Sequence, residues 1–68
     1  MLRIDSKVQA VVFVNGVAVG PTNQANRVRC GQRFVRLGVE LGTWLNAGRS
    51  IALACGTETR ATMEADSP

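Results

Sequence analysis

Two cysteines are the side chains best suited to covalent chemistry in this sequence. Each stands in a similar setting, because residues 28–31 (VRCG) and 53–56 (LACG) both read as a strand end with an inward cysteine before a glycine turn. A Cys30–Cys55 disulfide would close a loop of about 25 residues and stabilise the fold by roughly 3–4 kcal/mol. It requires an oxidising compartment. The alternative is that both thiols are reduced and pack as small hydrophobic side chains.

The sequence contains few residues that could bind a metal ion or catalyse a reaction. The chain has no histidine, and two cysteines without a CxxC spacing cannot complete a tetrahedral zinc site unless a second protomer contributes ligands. A general base at neutral pH would have to be a carboxylate, a cysteine or Lys7 with a shifted pKa. The acidic residues are scattered, and no glycine-rich loop leads into a helix as a phosphate site requires. The sequence therefore predicts no enzyme, no metal site and no cofactor.

Arginine supplies the candidate binding chemistry, since seven of the eight basic residues are Arg and the net charge is +3. Planar guanidinium groups bind carboxylates, phosphates and aromatic rings. Four arginines lie within residues 27–36 around Phe34, and a basic groove with stacking aromatics is how small β-barrels bind single-stranded nucleic acid. The alternative is a solvated sheet face, because this net charge is ordinary for solubility. The candidate binding surface comprises Arg27, Arg29, Arg36 and Trp44.

Trp44 has two interpretations of its own. Exposed Trp is a residue type found at the energetic centres of protein interfaces. The alternative is a core plug beneath the connection that contains it.

A hairpin over residues 8–20 is the strongest structural signal. Two runs of β-branched residues flank Asn15-Gly16, and both of these residues tolerate the positive φ that a type I′ turn requires. Both faces of the ribbon are apolar, so the hairpin is expected to be central in its sheet. One face is predicted to carry Val8, Ala10 and two cross-strand pairs, Val14 with Val17 and Val12 with Val19; Phe13 is on the other.

The rest of the chain alternates strand patterns with turn residues. Residues 1–7 form a polar lead-in that either joins the first strand or stays outside it, and residues 65–68 a frayed tail. Pro21 ends the hairpin because it cannot donate to a ladder. Further strands are predicted over residues 26–30, 33–39, 50–55 and 58–63, and the last of these is expected to be an edge strand. Val39 is expected to point into the core. A turn is predicted at residues 31–32 and a non-helical connection over residues 41–48.

The turn at residues 31–32 raises a conflict of charge. A two-residue loop there would pair Val28 with Val35 and place Arg27 opposite Arg36, and like charges directly opposite each other are destabilising. We therefore expect a longer loop, a bulge or an acidic partner at this point.

These patterns predict an all-β fold, a small antiparallel β-sandwich or open barrel of about six strands with residues 8–64 as one β domain. A core of this size contributes about 3–5 kcal/mol. No apolar run reaches the roughly 20 residues that span a bilayer, so no membrane insertion is expected. Residues 1–7 also lack the apolar region of a signal peptide. We expect either a cytoplasmic protein or a piece of a longer one.

Residues 12–22 (VFVNGVAVGPT) resemble the opening of a PEGA-type domain, a bacterial β module. That family begins with an alternating strand, Asp or Asn then Gly, a second strand ending in Gly, and a Thr/Pro turn. The resemblance covers roughly residues 8–64, although the Pro-Glu-Gly-Ala signature is absent and Cys30 stands where proline is common. It implies a small non-enzymatic β-sandwich within larger envelope proteins or kinases, outside the cytoplasm. Such a setting would agree with the cysteine bridge.

The expected function is a non-enzymatic binding, interaction or spacer module of a larger bacterial protein, with a protein or an envelope component as its partner. One alternative is a small β-barrel that binds single-stranded nucleic acid through the arginine face. The other is a self-assembling structural subunit, a homo-oligomer that pairs through the 58–63 edge strand.

Overall fold

The computed structural model describes residues 1–40 and 43–65. Over these residues the backbone forms eight strands and no helix, so the all-β prediction is confirmed, with more strands than the six expected. No helix in these ranges is long and apolar enough to cross a membrane. The strands are β1 (Leu2–Asp5), β2 (Val11–Val14), β3 (Val17–Pro21), β4 (Ala25–Asn26), β5 (Gly31–Glu40), β6 (Thr43–Trp44), β7 (Arg49–Leu53) and β8 (Thr59–Thr62).

Two sheets pack against each other as a small sandwich that does not close into a barrel. The smaller sheet has the order β4-β1-β8, and the larger has the order β3-β2-β5-β6, with β7 also paired to β5. Most pairs are antiparallel as predicted, but β1 and β8 run parallel, from Leu2 beside Thr59 to Asp5 beside Thr62. Parallel neighbours need a long connection. Here that connection is nearly the whole chain, since these strands lie close to its two ends.

The Asn15-Gly16 hairpin forms where the sequence predicts it. Both residues have positive φ (49° and 83°), and Val14 lies opposite Val17. The second predicted pair is wrong, because Val12 lies opposite Gly20 and not Val19. A bulge after the Val12 pair inserts one extra residue into β3, which shifts the register by one. Only one strand of the hairpin is central in the sheet as predicted: β2 lies between β3 and β5, whereas β3 is an edge strand.

The segment before β5 departs most from the predicted pattern. The predicted strand over residues 26–30 shrinks to β4, and Gly31 and Gln32 begin β5 instead of forming a turn. Arg36 therefore lies opposite Phe13 and not Arg27, and Val35 lies opposite Val14 and Arg49. The ladder between β4 and β1 ends where Asn26 lies opposite Leu2, the first residue of β1, so residues 27–30 run beyond the last pair of that ladder. The following strand β5 pairs instead with β2 on one side and with β6 and β7 on the other.

The core lies between the two sheets, and the first residues of the chain belong to it. Residues 1–7 neither join the hairpin nor stay outside the fold, because they contain β1, the central strand of the smaller sheet. Five side chains are completely buried, two from β1 and three from the larger sheet: Leu2, Ile4, Val12, Val35 and Leu37. Partly buried Val19, Val28 and Ile51 pack against this cluster.

Asp5 holds the exposed surface of the smaller sheet together. Its Oδ1 accepts a hydrogen bond from Arg3 Nε at 2.8 Å, and its Oδ2 accepts one from Arg60 Nε at 2.6 Å. The hydrogen bond from Arg60, followed by that from Arg3, lowers the pKa of Asp5 below its ordinary value of 3.8. A carboxyl group whose pKa is lower in the folded protein stabilises the fold above its unfolded pKa, and this stabilisation is lost as the pH falls through the folded value.

We therefore expect Asp5→Asn to lower the urea midpoint at neutral pH, and we expect the difference from the wild type to shrink below about pH 4. Urea unfolding followed between about pH 2 and pH 7 measures this. Glu40→Gln is the control, because Glu40 is an exposed carboxylate with no ion pair to any residue in 1–40 or 43–65. Parallel pH profiles for the wild type and Asp5→Asn would contradict the assignment.

Candidate functional site

Three side chains meet on the outer face of the larger sheet, the face opposite the core. Phe13 on β2 lies beside Arg36 on β5, and Trp44 on β6 lies beside Gly38 on β5. Successive side chains of a strand point to opposite faces, so Arg36 points outward because its neighbours Val35 and Leu37 point into the core. We call Phe13, Arg36 and Trp44 the aromatic–arginine cluster.

The cluster is held by two ring contacts and one hydrogen bond. The rings of Phe13 and Trp44 meet at 88° with centroids 4.9 Å apart, a T-shaped pair. The guanidinium carbon of Arg36 lies 4.4 Å from the Trp44 ring centroid, within the range of a cation–π interaction. Arg36 Nε also donates a hydrogen bond to the backbone oxygen of Asn46 at 3.0 Å. The guanidinium is therefore fixed on two sides.

Gly38 makes room for this arrangement. A Cβ at that position would lie 2.9 Å from Thr43 O and 3.1 Å from atoms of both the Phe13 and Trp44 rings. Glycine in a strand interior marks a place where another group approaches the backbone closely. A bulge between Gly38 and Glu40 also ends the inward alternation, so Val39, predicted to face the core, is 53% exposed.

An open groove of about 380 Å³ lies beside the cluster. Asn46 fixes the loop that forms its wall, because its Oδ1 accepts a hydrogen bond from Leu37 N and its Nδ2 donates one to Glu64 O. The terminal nitrogens of Arg36 make no hydrogen bond or ion pair with any residue in 1–40 or 43–65. The groove is lined by Arg36, Trp44, Leu45, Asn46 and Ala47.

The structure brings together only part of the predicted surface. Arg36 and Trp44 are in direct contact, but Arg27 and Arg29 are exposed side chains in the segment between β4 and β5. That segment forms no strand, so the three arginines do not share one sheet face. Trp44 is not a core plug, because it is half-buried on the outer face of the sheet.

Sequence reasoning missed two contributors to the site: Phe13, whose ring packs against Trp44, and Asn46, whose side chain holds the loop beside the groove. The one available signal was a glycine in the middle of a strand pattern, Gly38, close in sequence to the only tryptophan.

The cysteine pair lies at the far end of β5 from the groove. Cys30 directly precedes β5, Cys55 follows β7 by two residues, and the ladder between these strands ends at Gly31 opposite Leu53. The two cysteines form a disulfide in the structure, so the predicted pairing is present. Cys30 packs against the core, but the expectation of an inward Cys55 is wrong because β7 ends at Leu53 and a turn follows.

In residues 1–40 and 43–65, no group of three or more His, Cys, Asp or Glu side chains is placed to hold a metal ion. No family model, curated protein or solved structure matches this chain.

Proposed function

We propose that this domain is a non-enzymatic interaction module that binds a protein partner through the outer face of its larger sheet. The observation that carries the proposal is Arg36 stacked on Trp44 beside an open groove. Arg and Trp are enriched among the residues that contribute most to binding energy at protein interfaces. Phe34, which is on the same face of β5 as Arg36, is 41% exposed and extends the surface. Side chains that are already fixed lose little entropy when a partner binds.

Single-stranded nucleic acid is the alternative partner, and the geometry favours it less. Nucleic-acid binding of this type requires aromatic faces on which bases stack. One face of the Trp44 ring is covered by the Arg36 guanidinium, and Phe13 is buried against the same ring. Phe34 is then the one well-exposed aromatic ring in the part of the chain that the structure describes.

Self-assembly through a sheet edge is the other alternative. The 58–63 segment does contain an edge strand, β8, as predicted. However, Arg49 Nη2 donates a hydrogen bond to Thr62 O of this strand, and Thr59 Oγ1 accepts one from Ala54 N. On the larger sheet, the edge strand β3 carries a bulge and ends in Pro21, while β6 and β7 form the opposite edge. Bulges, proline and covered edge groups disfavour pairing between copies through β3 and β8.

The setting of the module is part of the proposal. Disulfides persist in oxidising compartments, so the Cys30–Cys55 pair supports a location outside the cytoplasm. The resemblance of residues 12–22 to PEGA-type domains extends the proposal to a larger bacterial envelope protein, with this domain as an interaction or spacer unit.

Panning a random peptide library against the immobilised, oxidised domain tests the proposed function. We expect enriched peptides that bind the wild type and lose about tenfold or more in affinity on Trp44→Ala and Phe34→Ser. Arg60→Gln is the matched surface control, because Arg60 is exposed on the smaller sheet. Phe34→Ser keeps the test valid if Trp44→Ala fails to fold, since Phe34 is outside the core.

Two results would overturn this function. One is a library that yields no peptide dependent on the outer face. The other is a labelled oligothymidine that binds at low salt and loses its affinity on Phe34→Ser, which would identify the domain as a nucleic-acid binder.

A further inference from the structure

We infer that the groove beside Trp44 is a carboxylate-binding subsite, and that its occupant is an Asp or Glu side chain within a short extended segment of the protein partner. This inference rests on the proposed function, and it specifies the ligand chemistry of the same surface.

The first argument is the state of the Arg36 guanidinium. Its Nε is bonded to Asn46 O and its planar group lies on the Trp44 ring, so its position is set before any ligand arrives. The two terminal nitrogens remain without a partner among residues 1–40 and 43–65. Two parallel N–H donors with this spacing match the two oxygens of a carboxylate.

The second argument comes from the other half-buried arginines of residues 1–40 and 43–65, Arg3 and Arg33. Arg3 is paired with the carboxylate of Asp5, and both terminal nitrogens of Arg33 donate hydrogen bonds to backbone oxygens of its own segment. Arg36 is the half-buried arginine of these residues whose charge is unpaired and whose terminal nitrogens have no acceptor among them, and it lies beside the groove.

The third argument concerns Glu64, an acidic residue of this chain whose backbone lies next to the groove. The backbone oxygen of Glu64 accepts a hydrogen bond from Asn46 Nδ2, which places Glu64 near the wall of the groove. Its side chain is engaged elsewhere, because Oε1 accepts hydrogen bonds from Ser6 Oγ and Lys7 N. The charge of Arg36 is therefore not neutralised by Glu64. A partly buried charge attracts an opposite charge more strongly than one in bulk water does.

The rest of the groove defines the neighbours of the bound carboxylate. Leu45, Ala47 and the Trp44 ring contribute apolar surface. A volume of about 380 Å³ is at the lower end of ligand-pocket size, enough for one acidic side chain and part of an apolar neighbour. The expected ligand is an extended peptide in which Asp or Glu stands next to an apolar residue.

Two matched peptide arrays test the inference. The first contains acetylated and amidated peptides with a central Glu or Asp and varied flanking residues, and the second replaces the central residue with Gln or Asn. Binding to the oxidised domain is followed by the fluorescence of Trp44, the only tryptophan of the chain. We expect the best acidic peptides to bind about tenfold more tightly than their amide counterparts, as charge-assisted hydrogen bonds predict.

The matched protein variants are Arg36→Gln and Arg33→Gln. Both arginines are half-buried on β5, and each substitution removes one positive charge. We expect Arg36→Gln to abolish the preference for the acidic peptides and Arg33→Gln to retain it. Arg36→Lys, which keeps the charge but not the planar donor pair, is expected to recover only part of the affinity.

Three outcomes would overturn the inference: equal binding of the two arrays, equal effects of Arg36→Gln and Arg33→Gln, or binding of inorganic phosphate at lower concentration than the acidic peptides. If the arrays fail while library-selected peptides still require Trp44 and Phe34, the carboxylate subsite is wrong and the interaction surface stands. If no peptide binds the outer face at all, both proposals fail.

Discussion

Reduction of the Cys30–Cys55 bond is expected to lower the free energy of unfolding by about 3.5 kcal/mol, since the bond closes a loop with a sequence separation of 25 residues. A single core in a domain of this size contributes only about 3–5 kcal/mol. The bond also lies at one end of the β5–β7 ladder, so it holds together two strands that are otherwise joined only through the intervening chain and the ladder itself. We therefore expect the reduced domain to be only marginally folded at room temperature.

Thermal and urea unfolding with and without a reducing agent measure this effect. The melting temperature is expected to fall by roughly 14–28 °C, which is the size expected for a small domain. The double variant with Cys30→Ser and Cys55→Ser is the control, because it should melt near the reduced wild type and show no response to the reducing agent. Two free thiols in denatured, unreduced protein, or an unchanged melting temperature on reduction, would contradict the prediction.

The features that the sequence predicts well are those specified by local chemistry. Positive φ at Asn15 and Gly16 is a property of these two residue types, so the turn and the Val14–Val17 pair follow from four consecutive residues. The cysteine pairing is also predicted correctly, although Cys30 precedes the first residue of β5 and does not end a strand; the two cysteines meet because β5 and β7 are neighbours in the larger sheet.

The features that the sequence does not predict depend on pairing between distant segments. The bulge in β3 leaves Val19 without an opposite residue in β2, and the next residue, Gly20, lies so close to buried Asn26 that a Cβ there would overlap its side chain. The alternation of residues 27–30 has the right period for a strand, but the partner strand β1 begins at Leu2, opposite Asn26. Whether a suitable segment becomes a strand therefore depends on which partner residues the rest of the fold places beside it.

The same distinction applies to the candidate site. The alternating pattern of residues 33–39 predicts an outward Arg36, and the structure places it on the outer face of β5. Its contact with Trp44 depends on the bulge and the close approach at Gly38; a glycine within a strand pattern indicates such an approach but not which residue makes it. Arg27 and Arg29 lie in a segment that forms no strand. They therefore share only their residue type with Arg36, and not a face of the sheet.

The Ile4→Ala variant is expected to cost about 2–5 kcal/mol of stability, because its side chain is completely buried and the substitution leaves a cavity. Ile4 lies in β1, and β1 is paired with β4 on one side and with β8 on the other. A cavity there weakens the contact between the smaller sheet and Val12 and Leu37 of the larger one. Urea unfolding of the oxidised protein, followed by Trp44 fluorescence and by circular dichroism, measures the loss.

Val17→Ala is the matched control, since Val17 is also an aliphatic residue in a strand but is 64% exposed. Surface substitutions of this kind usually change stability by less than about 0.5 kcal/mol. Ile4→Val should lie between the two, at about 0.5–1.5 kcal/mol. If Ile4→Ala and Val17→Ala unfold at the same urea concentration, residues 2–5 do not form the centre of the smaller sheet. The fold would then consist of the larger sheet alone, and the core face of β2 and β5 would have no partner layer.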